Sequence, residues 1–155
     1  MPKKESEYKQ IATNRRARHD YDLGESYEAG LVLMGSEVKS LRAHGATLGD
    51  GFVEERGGEL WLLQVHIAEY DYYASAFGHE PRRPRKLLLH KKEIAKLVSK
   101  MRERGYTVVP TQMYFKKGRA KVEIALARGR RQYDKRAVIA ERENRRDLER
   151  ALKER

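Results

Sequence analysis

Apolar residues recur along this chain with two different periods, and each period predicts its own kind of element. Between residues 91 and 104, Ile94, Leu97, Val98 and Met101 fall at i, i+3, i+4 and i+7, while Lys92, Lys96, Ser99, Lys100 and Glu103 fill the rest of the wheel. That is the stripe of an amphipathic helix. Gly105 stands where such a helix ends, and Arg102 and Arg104 suit the negative end of its dipole. Further on, residues 121–126 alternate polar and apolar in steps of two, which predicts a strand over 120–127 following one over 106–115. Lys116-Lys117-Gly118-Arg119 would join them, a turn basic enough to meet phosphate.

The N-terminal half yields to the same reading. The run Tyr27-Glu28-Ala29-Gly30-Leu31-Val32-Leu33 is short and apolar, lies between Gly24 and Gly35, and predicts a strand. Val38 and Leu41, three apart behind Ser36, predict one or two helical turns closing at Gly45. Residues 52–55 and 60–67 flank Gly57-Gly58 and read as a hairpin. Gly78, Pro81 and Pro84 interrupt residues 69–85, which read as a loop, and residues 1–12 are polar and aperiodic, a mobile lead. Beyond residue 129 the large apolar residues thin out to Val138, Ile139, Leu148 and Leu152, so the segment cannot bury itself. It is expected to be disordered when free and to turn helical on a target, with pairs such as Glu149 and Lys153 in support. The division is a lead over 1–12, a body over 13–129 and a basic tail over 130–155. Short strands around one solid helix predict a mostly β fold with flanking α-helices, an antiparallel β-barrel of the oligonucleotide-binding (OB) type.

Composition narrows the function classes. A length of 155 residues suits one domain, and the absence of cysteine excludes disulfides, thiolate-held metals and a thiol nucleophile. No apolar run approaches the roughly 18 residues of a membrane span, and no signal-peptide core follows the polar start Met1-Pro2-Lys3-Lys4-Glu5. A cytoplasmic protein with no membrane partner is the expectation. The net charge of +11 is unevenly spread: residues 1–20 carry +3, residues 21–81 carry −8, and residues 82–155 carry +16. Such polarity suits a protein that lies on RNA in one orientation, since an acidic patch is repelled by phosphate as a basic one is attracted.

Candidate chemistry is sparse. His19, His44, His66, His79 and His90 are scattered, with no pair at i, i+4, so neither a metal site nor another cofactor is expected. No nucleophile elbow, phosphate loop or dinucleotide fingerprint occurs. An RNase using a histidine, an acid such as Glu28 and an arginine is the enzymatic reading that survives longest, but such residues are scattered through most soluble domains. The expectation is a protein with no catalytic residues. More telling is Asn14-Arg15-Arg16-Ala17-Arg18-His19-Asp20-Tyr21, which packs phosphate forks, base-edge donors and a stacking ring into eight residues. Its bland alternative is a solvated basic strand. Arg82-Arg83-Pro84-Arg85-Lys86 is a second basic stretch, leading into three leucines that read as core. Gly129-Arg130-Arg131-Gln132-Tyr133-Asp134-Lys135-Arg136 is a third, for which a solvated linker weighs equally.

At these residues the chain resembles the tmRNA-binding small protein B family, also called SsrA-binding protein. Its blocks are NRRARHDY at 14–21, YEAGLVL at 27–33, GSEVKSLRA at 35–43, RKLLLHKKEI at 85–94, KKGRAKVEIALARG at 116–129 and YDKR at 133–136. The resemblance implies an OB-like barrel with a tail that is disordered in the free protein. It implies a role in trans-translation: binding the tRNA-like domain of tmRNA and, with elongation factor Tu, bringing it to stalled ribosomes. Carried over by position, it implies an RNA-binding surface of Asn14, His19, Glu28, Leu88 and Lys121, supported by Arg15, Arg16, Lys86 and Lys116. The tail's part, probing the empty decoding centre and mRNA channel, would fall to Gly129, Arg130, Arg131, Tyr133, Asp134, Lys135 and Arg136. The alternative is a less specialised OB-type RNA-binding or ribosome-associated protein.

Overall fold

The computed structural model describes residues 8–70 and 78–129. In chain order it contains β1 (Tyr8–Thr13), α1 (Arg15–Asp20), β2 (Tyr21–Leu31), α2 (Gly35–His44), β3 (Phe52–Arg56), β4 (Glu59–Leu63), β5 (Arg85–Leu88), α3 (Lys91–Met101), β6 (Tyr106–Lys116) and β7 (Arg119–Gly129). The strands make one antiparallel sheet in the order β1-β6-β7-β2-β5-β4-β3. At its far edge β3 comes round against β6, curling the sheet into a barrel. The expected antiparallel barrel with flanking helices is therefore what the chain builds. The predictions for residues 1–7 and for the tail over 130–155 lie outside the described residues.

Turn chemistry sets the hairpins. Gly57 and Gly58 have φ of 61° and 80° between β3 and β4, and Lys117 and Gly118 have φ of 52° and 78° between β6 and β7. Two consecutive residues at positive φ match the right-handed twist of the flanking strands. Inside the barrel Ala29, Val53, Leu60, Leu62, Leu87, Val108, Met113, Val122 and Ile124 meet Leu97 of α3, with Ile94, Val98 and Met101 packed beside it. Burying a leucine such as Leu97 contributes about 1.5–3 kcal/mol, so the predicted stripe is what seats α3.

Besides shifts at element ends, with β2 beginning at Tyr21 and β4 ending at Leu63, three segments differ from the sequence reading. Residues 8–12, expected to belong to a mobile lead, form most of β1, which gains its order by pairing with the edge of β6. Residues 15–20, whose bland reading was a basic strand, form α1, because Asn14 caps it and Ala17 packs on Val109 and Ala127. Arg85, at the end of the predicted loop, begins β5 and is fully buried.

That burial depends on a polar cluster between α2 and β5. Arg85 Nε donates to Glu37 Oε2 at 2.5 Å, its Nη1 to the Val65 carbonyl at 2.6 Å and its Nη2 to the Pro81 carbonyl at 3.0 Å. Glu37, itself fully buried, accepts further hydrogen bonds from Arg83 and from the Met34 backbone N–H at 2.8 Å. Burial alone would raise the Glu37 carboxyl; the hydrogen bond from Arg83, then that from Met34 and the charge of Arg85 outweigh it and hold it below the usual carboxylate range. His79 ties the same region together through Ser36 Oγ and the Ile67 carbonyl, both at 2.9 Å. The cluster fixes the start of β5, and so the direction in which Lys86 and Leu88 point.

Candidate nucleic-acid interface

Strand alternation sorts the charged residues of the sheet. On β7, Val122 and Ile124 face the core, so Lys121 and Glu123 face out, and Ala125 and Ala127 share their side. Cross-strand register then builds rows on that outer face. Leu88 of β5 lies opposite Gly30 of β2, Gly30 opposite Lys121 of β7, Lys121 opposite Tyr114 of β6 and Tyr114 opposite Gln10 of β1. The neighbouring row holds Glu28, Glu123, Gln112 and Thr13. Tyr8, Lys116 and Arg119 flank the first row at the turn end. Because Ala17 packs on Val109 and Ala127, α1 rests on this same face. At about 3.3 Å per residue, it sits roughly 20 Å along the sheet from Lys121.

Cations mark the two ends of the face, and the acids Glu28 and Glu123 stand one row inward from Lys121, where neighbouring side-chain donors satisfy them. Glu28 Oε2 accepts from Tyr114 Oη and, at 3.4 Å, from Lys116 Nζ. The Tyr114 hydrogen bond above all, then that of Lys116, holds the Glu28 carboxyl below its ordinary range despite some burial. Burial and the Glu28 carboxylate push the Tyr114 phenol up, so it remains a donor. Glu123 accepts from Thr111 Oγ1 at 2.7 Å and Gln112 Nε2 at 2.9 Å. Tyr8 lies against Tyr114 with ring centroids 4.8 Å apart. Near the turn, Leu88 is 52% exposed beside the bare backbone of Gly30, where an added Cβ would stand 3.2 Å from Leu88 Cβ and 3.7 Å from Lys121 Nζ. The missing side chain leaves a notch between an apolar and a cationic wall, suited to a sugar and its phosphate.

The residues singled out from the sequence divide accordingly. Arg15, Arg16 and His19 are exposed on α1, with Arg16 3.2 Å from Asp50 and 3.7 Å from Asp20, and His19 Nδ1 3.3 Å from Asp20. Glu28, Leu88, Lys116 and Lys121 come together at the other end of the same face. Lys86 shares the outer side of β5 with Leu88 and pairs with Glu59 at 3.0 Å. Asn14, expected as an RNA contact, stands at the N-cap of α1. It is buried, its Nδ2 donates to the Pro110 carbonyl at 2.8 Å and the Leu48 carbonyl at 3.3 Å, and its Oδ1 accepts from Ala17 N at 3.0 Å. Both N–H groups of its amide are spent on backbone carbonyls and its buried oxygen holds the first turn of α1, so the side chain fixes that helix. Gly129 ends β7, its N–H donating to the Gly105 carbonyl at 3.3 Å. Arg130, Arg131, Tyr133, Asp134, Lys135 and Arg136 lie outside the described residues.

Sequence reasoning missed Tyr114, Tyr8, Gln112 and Glu123. The polar alternation Gln112-x-Tyr114-x-Lys116 on β6, set against Arg119-x-Lys121-x-Glu123 on β7, was the available signal. Among the described residues no group of histidine, aspartate and glutamate could hold a metal ion, and no helix is long and apolar enough to cross a membrane.

Fold and face together define a class: a small antiparallel barrel with flanking helices and one polar, aromatic and largely cationic sheet face. Within it, the chain belongs to the SmpB family, whose model, described as SmpB protein, matches residues 11–154. It is 63% identical to an SsrA-binding protein of Thermobifida fusca (strain YX), over 95% of this chain and 91% of that one. It is 60% identical to an SsrA-binding protein of Parafrankia sp. (strain EAN1pec), over 98% of this chain and 95% of that one. A solved structure described as "tmRNA-SmpB: a journey to the center of the bacterial ribosome" superposes with a TM-score of 0.66 at 48% identity, covering 77% of this chain and 84% of the other.

Proposed function

We propose that the chain is a non-enzymatic RNA adaptor of trans-translation: its barrel binds the tRNA-like domain of tmRNA and its tail inspects the decoding centre and mRNA channel of a stalled ribosome. The observation that carries the reading is the gathering of Arg15, Arg16, His19, Leu88, Lys116 and Lys121 onto one side of the sheet, in a chain whose relatives bear the name SsrA-binding protein. Cations at both ends, some 20 Å apart by strand rise, span several phosphates, while Tyr8, Tyr114 and Leu88 beside Lys116 and Lys121 offer apolar contact to sugars and bases.

In this reading residues 13–129 grip RNA and residues 130–155 act on the ribosome. A basic segment with too little apolar surface to fold alone can order itself inside an RNA-lined channel, and messenger already there would exclude it. Vacancy is then sensed sterically. Gly129, Arg130, Arg131, Tyr133, Asp134, Lys135 and Arg136 begin that segment, and a place on the ribosome implies the cytoplasm. Elongation factor Tu enters as a partner through the tmRNA complex.

The test is competition. The full chain should bind a transcript of the tRNA-like domain with a steep inverse dependence on salt, and unstructured single strands should fail to displace it. Equal displacement by any single strand would favour a general OB-type RNA-binding protein instead. Truncation after residue 129 should leave that binding intact and abolish tagging of nascent chains on stalled ribosomes; loss of binding in the truncated chain would count against the division of labour.

A further inference from the structure

A cleft of about 450 Å³ opens on the outer face between α1 and the segment entering β3, within the size range of small-ligand sites. Its floor is apolar, from Ala17 and Val109, both buried. Phe52, 37% exposed, stands among the lining residues. The segment that carries Asp50 packs closely at the next residue, where a Cβ on Gly51 would come within 2.7 Å of Val65 Cγ2 and 2.8 Å of Pro110 Cγ. Arg16 bridges the cleft, 3.2 Å from Asp50 and 3.7 Å from Asp20.

The charge of the lining decides which part of an RNA can enter. Asp20 and Asp50 place two carboxylates in the lining, matched by Arg16 within it and by Arg82 at its edge, 3.5 Å from Asp50, so the cleft holds no excess of cations to draw a phosphate in. Arg15 and Arg18, exposed on the same helix and outside the lining, are where a backbone would be held. An apolar floor, an aromatic ring and carboxylate acceptors are what a nucleobase needs: a face to stack on and partners for its N–H groups.

We propose that the cleft receives one unstacked base of the bound RNA and that this base is guanine, an inference that rests on the RNA-adaptor reading above. The base lies on Phe52, and its N1–H and 2-amino groups donate to the two oxygens of Asp50. Adenine and cytosine set an acceptor nitrogen beside their one amino group, and uracil flanks its single N–H with carbonyls, so each turns a lone pair toward the carboxylate. Only guanine presents two adjacent donors there. The base displaces Arg16 from one oxygen of Asp50 and Arg82, 3.5 Å away, from the other; all three side chains are exposed, and exposed pairs of this kind contribute little. Arg16 keeps Asp20 as its partner.

The test uses the full chain and transcripts of the tRNA-like domain of tmRNA in which each unpaired guanosine in turn is replaced by inosine, which deletes the 2-amino group. One replacement should weaken wild-type binding by roughly tenfold, and that difference should vanish in Asp50→Asn. Phe52→Ala should weaken binding of the unmodified transcript by about tenfold through lost stacking. Phe52→Leu, which keeps an apolar side chain without the ring, should behave likewise and serves if the alanine variant loses its far-ultraviolet dichroism. The proposal is overturned if no replacement matters, if the effect persists undiminished in Asp50→Asn, or if folded Phe52 variants bind as wild type. A wild-type chain that ignores the unmodified transcript refutes the adaptor reading as well, an outcome distinct from these.

Discussion

Substituting Asn14 by alanine separates a structural role from a contact role. The side chain caps α1 through Oδ1 and satisfies the buried carbonyl of Pro110 through Nδ2. Losing the cap costs about 1 kcal/mol, and leaving the Pro110 carbonyl without that donor costs about 1–3 kcal/mol. The second carbonyl it serves, that of Leu48, also accepts from the Gly51 N–H at 2.8 Å and loses less. The expected destabilisation is therefore about 2–4 kcal/mol, a large share of the roughly 5–15 kcal/mol that holds a domain together. At about 2–4 °C per kcal/mol for a chain of this size, the midpoint of thermal unfolding should fall by about 4–16 °C. Urea unfolding followed by circular dichroism measures the same loss, with the slope against denaturant unchanged. Asn14→Ser, which keeps a capping oxygen and drops the two donors, should fall between. RNA binding should weaken in proportion to the loosening of α1 and recover on cooling. A variant as stable as wild type, within about 0.5 kcal/mol, that nonetheless fails to bind RNA would refute the capping argument and make Asn14 a direct contact.

Arg85→Met leaves the buried Glu37 with Arg83 alone among cations, removes the Arg85 donor from the Val65 carbonyl and leaves the Pro81 carbonyl with the Ile67 N–H alone, so it should destabilise by about 3–5 kcal/mol; a loss under about 1 kcal/mol in urea would contradict the cluster's role. Since the Glu37 carboxyl is lowered in the folded state, its stabilisation is present above the ordinary value of 4.5 and is lost as pH falls below that value through the lowered one. Wild-type stability followed from pH 6 downward should decline through that window, and a flat curve would refute the pairing. Lys116→Ala and Lys121→Ala should each weaken RNA binding at every sequence and reduce the log–log salt slope by about 1, measured by filter binding across a salt series; an unchanged slope removes that lysine from the interface. Tyr114→Phe deletes the largest influence lowering Glu28, so carbon-detected titration should find the Glu28 carboxyl shifted up toward 4.5, and a shift downward would overturn the assignment.

Where periodicity was strong, the sequence was legible. The stripe of Ile94, Leu97, Val98 and Met101 located α3, although the helix ends at Met101 rather than at residue 104. The alternation of residues 121–126 located β7 and, through it, the outward side of Lys121. Strand β1 was not legible, because Tyr-Lys-Gln-Ile-Ala-Thr carries one large aliphatic residue and its strand state comes from an edge of β6 more than ninety residues away. Strand β5 was hidden for a related reason. A stretch of three arginines and a proline reads as solvated, and nothing local reveals that Glu37 waits to neutralise one of them inside the barrel.

Arginine marks the boundary between what residue type can reveal and what position decides. Arg85 is core, Arg16 bridges a cleft between two carboxylates, and Arg15 stands exposed at the start of α1. All three carry the same charge in a composition count. What separates them is the helix wheel and the strand pleat, and for α1 the wheel follows once Asn14 is read as an N-cap rather than as a ligand. From that cap, Ala17 lies three residues in and must face the sheet, which sends Arg15, Arg18 and His19 outward and leaves Arg16 and Asp20, one turn apart, at the border. The border is where the cleft opens. Asparagine at position 14 therefore acts on the proposed interface by aiming other residues at it, which is why its substitution should be read first in stability and only then in binding.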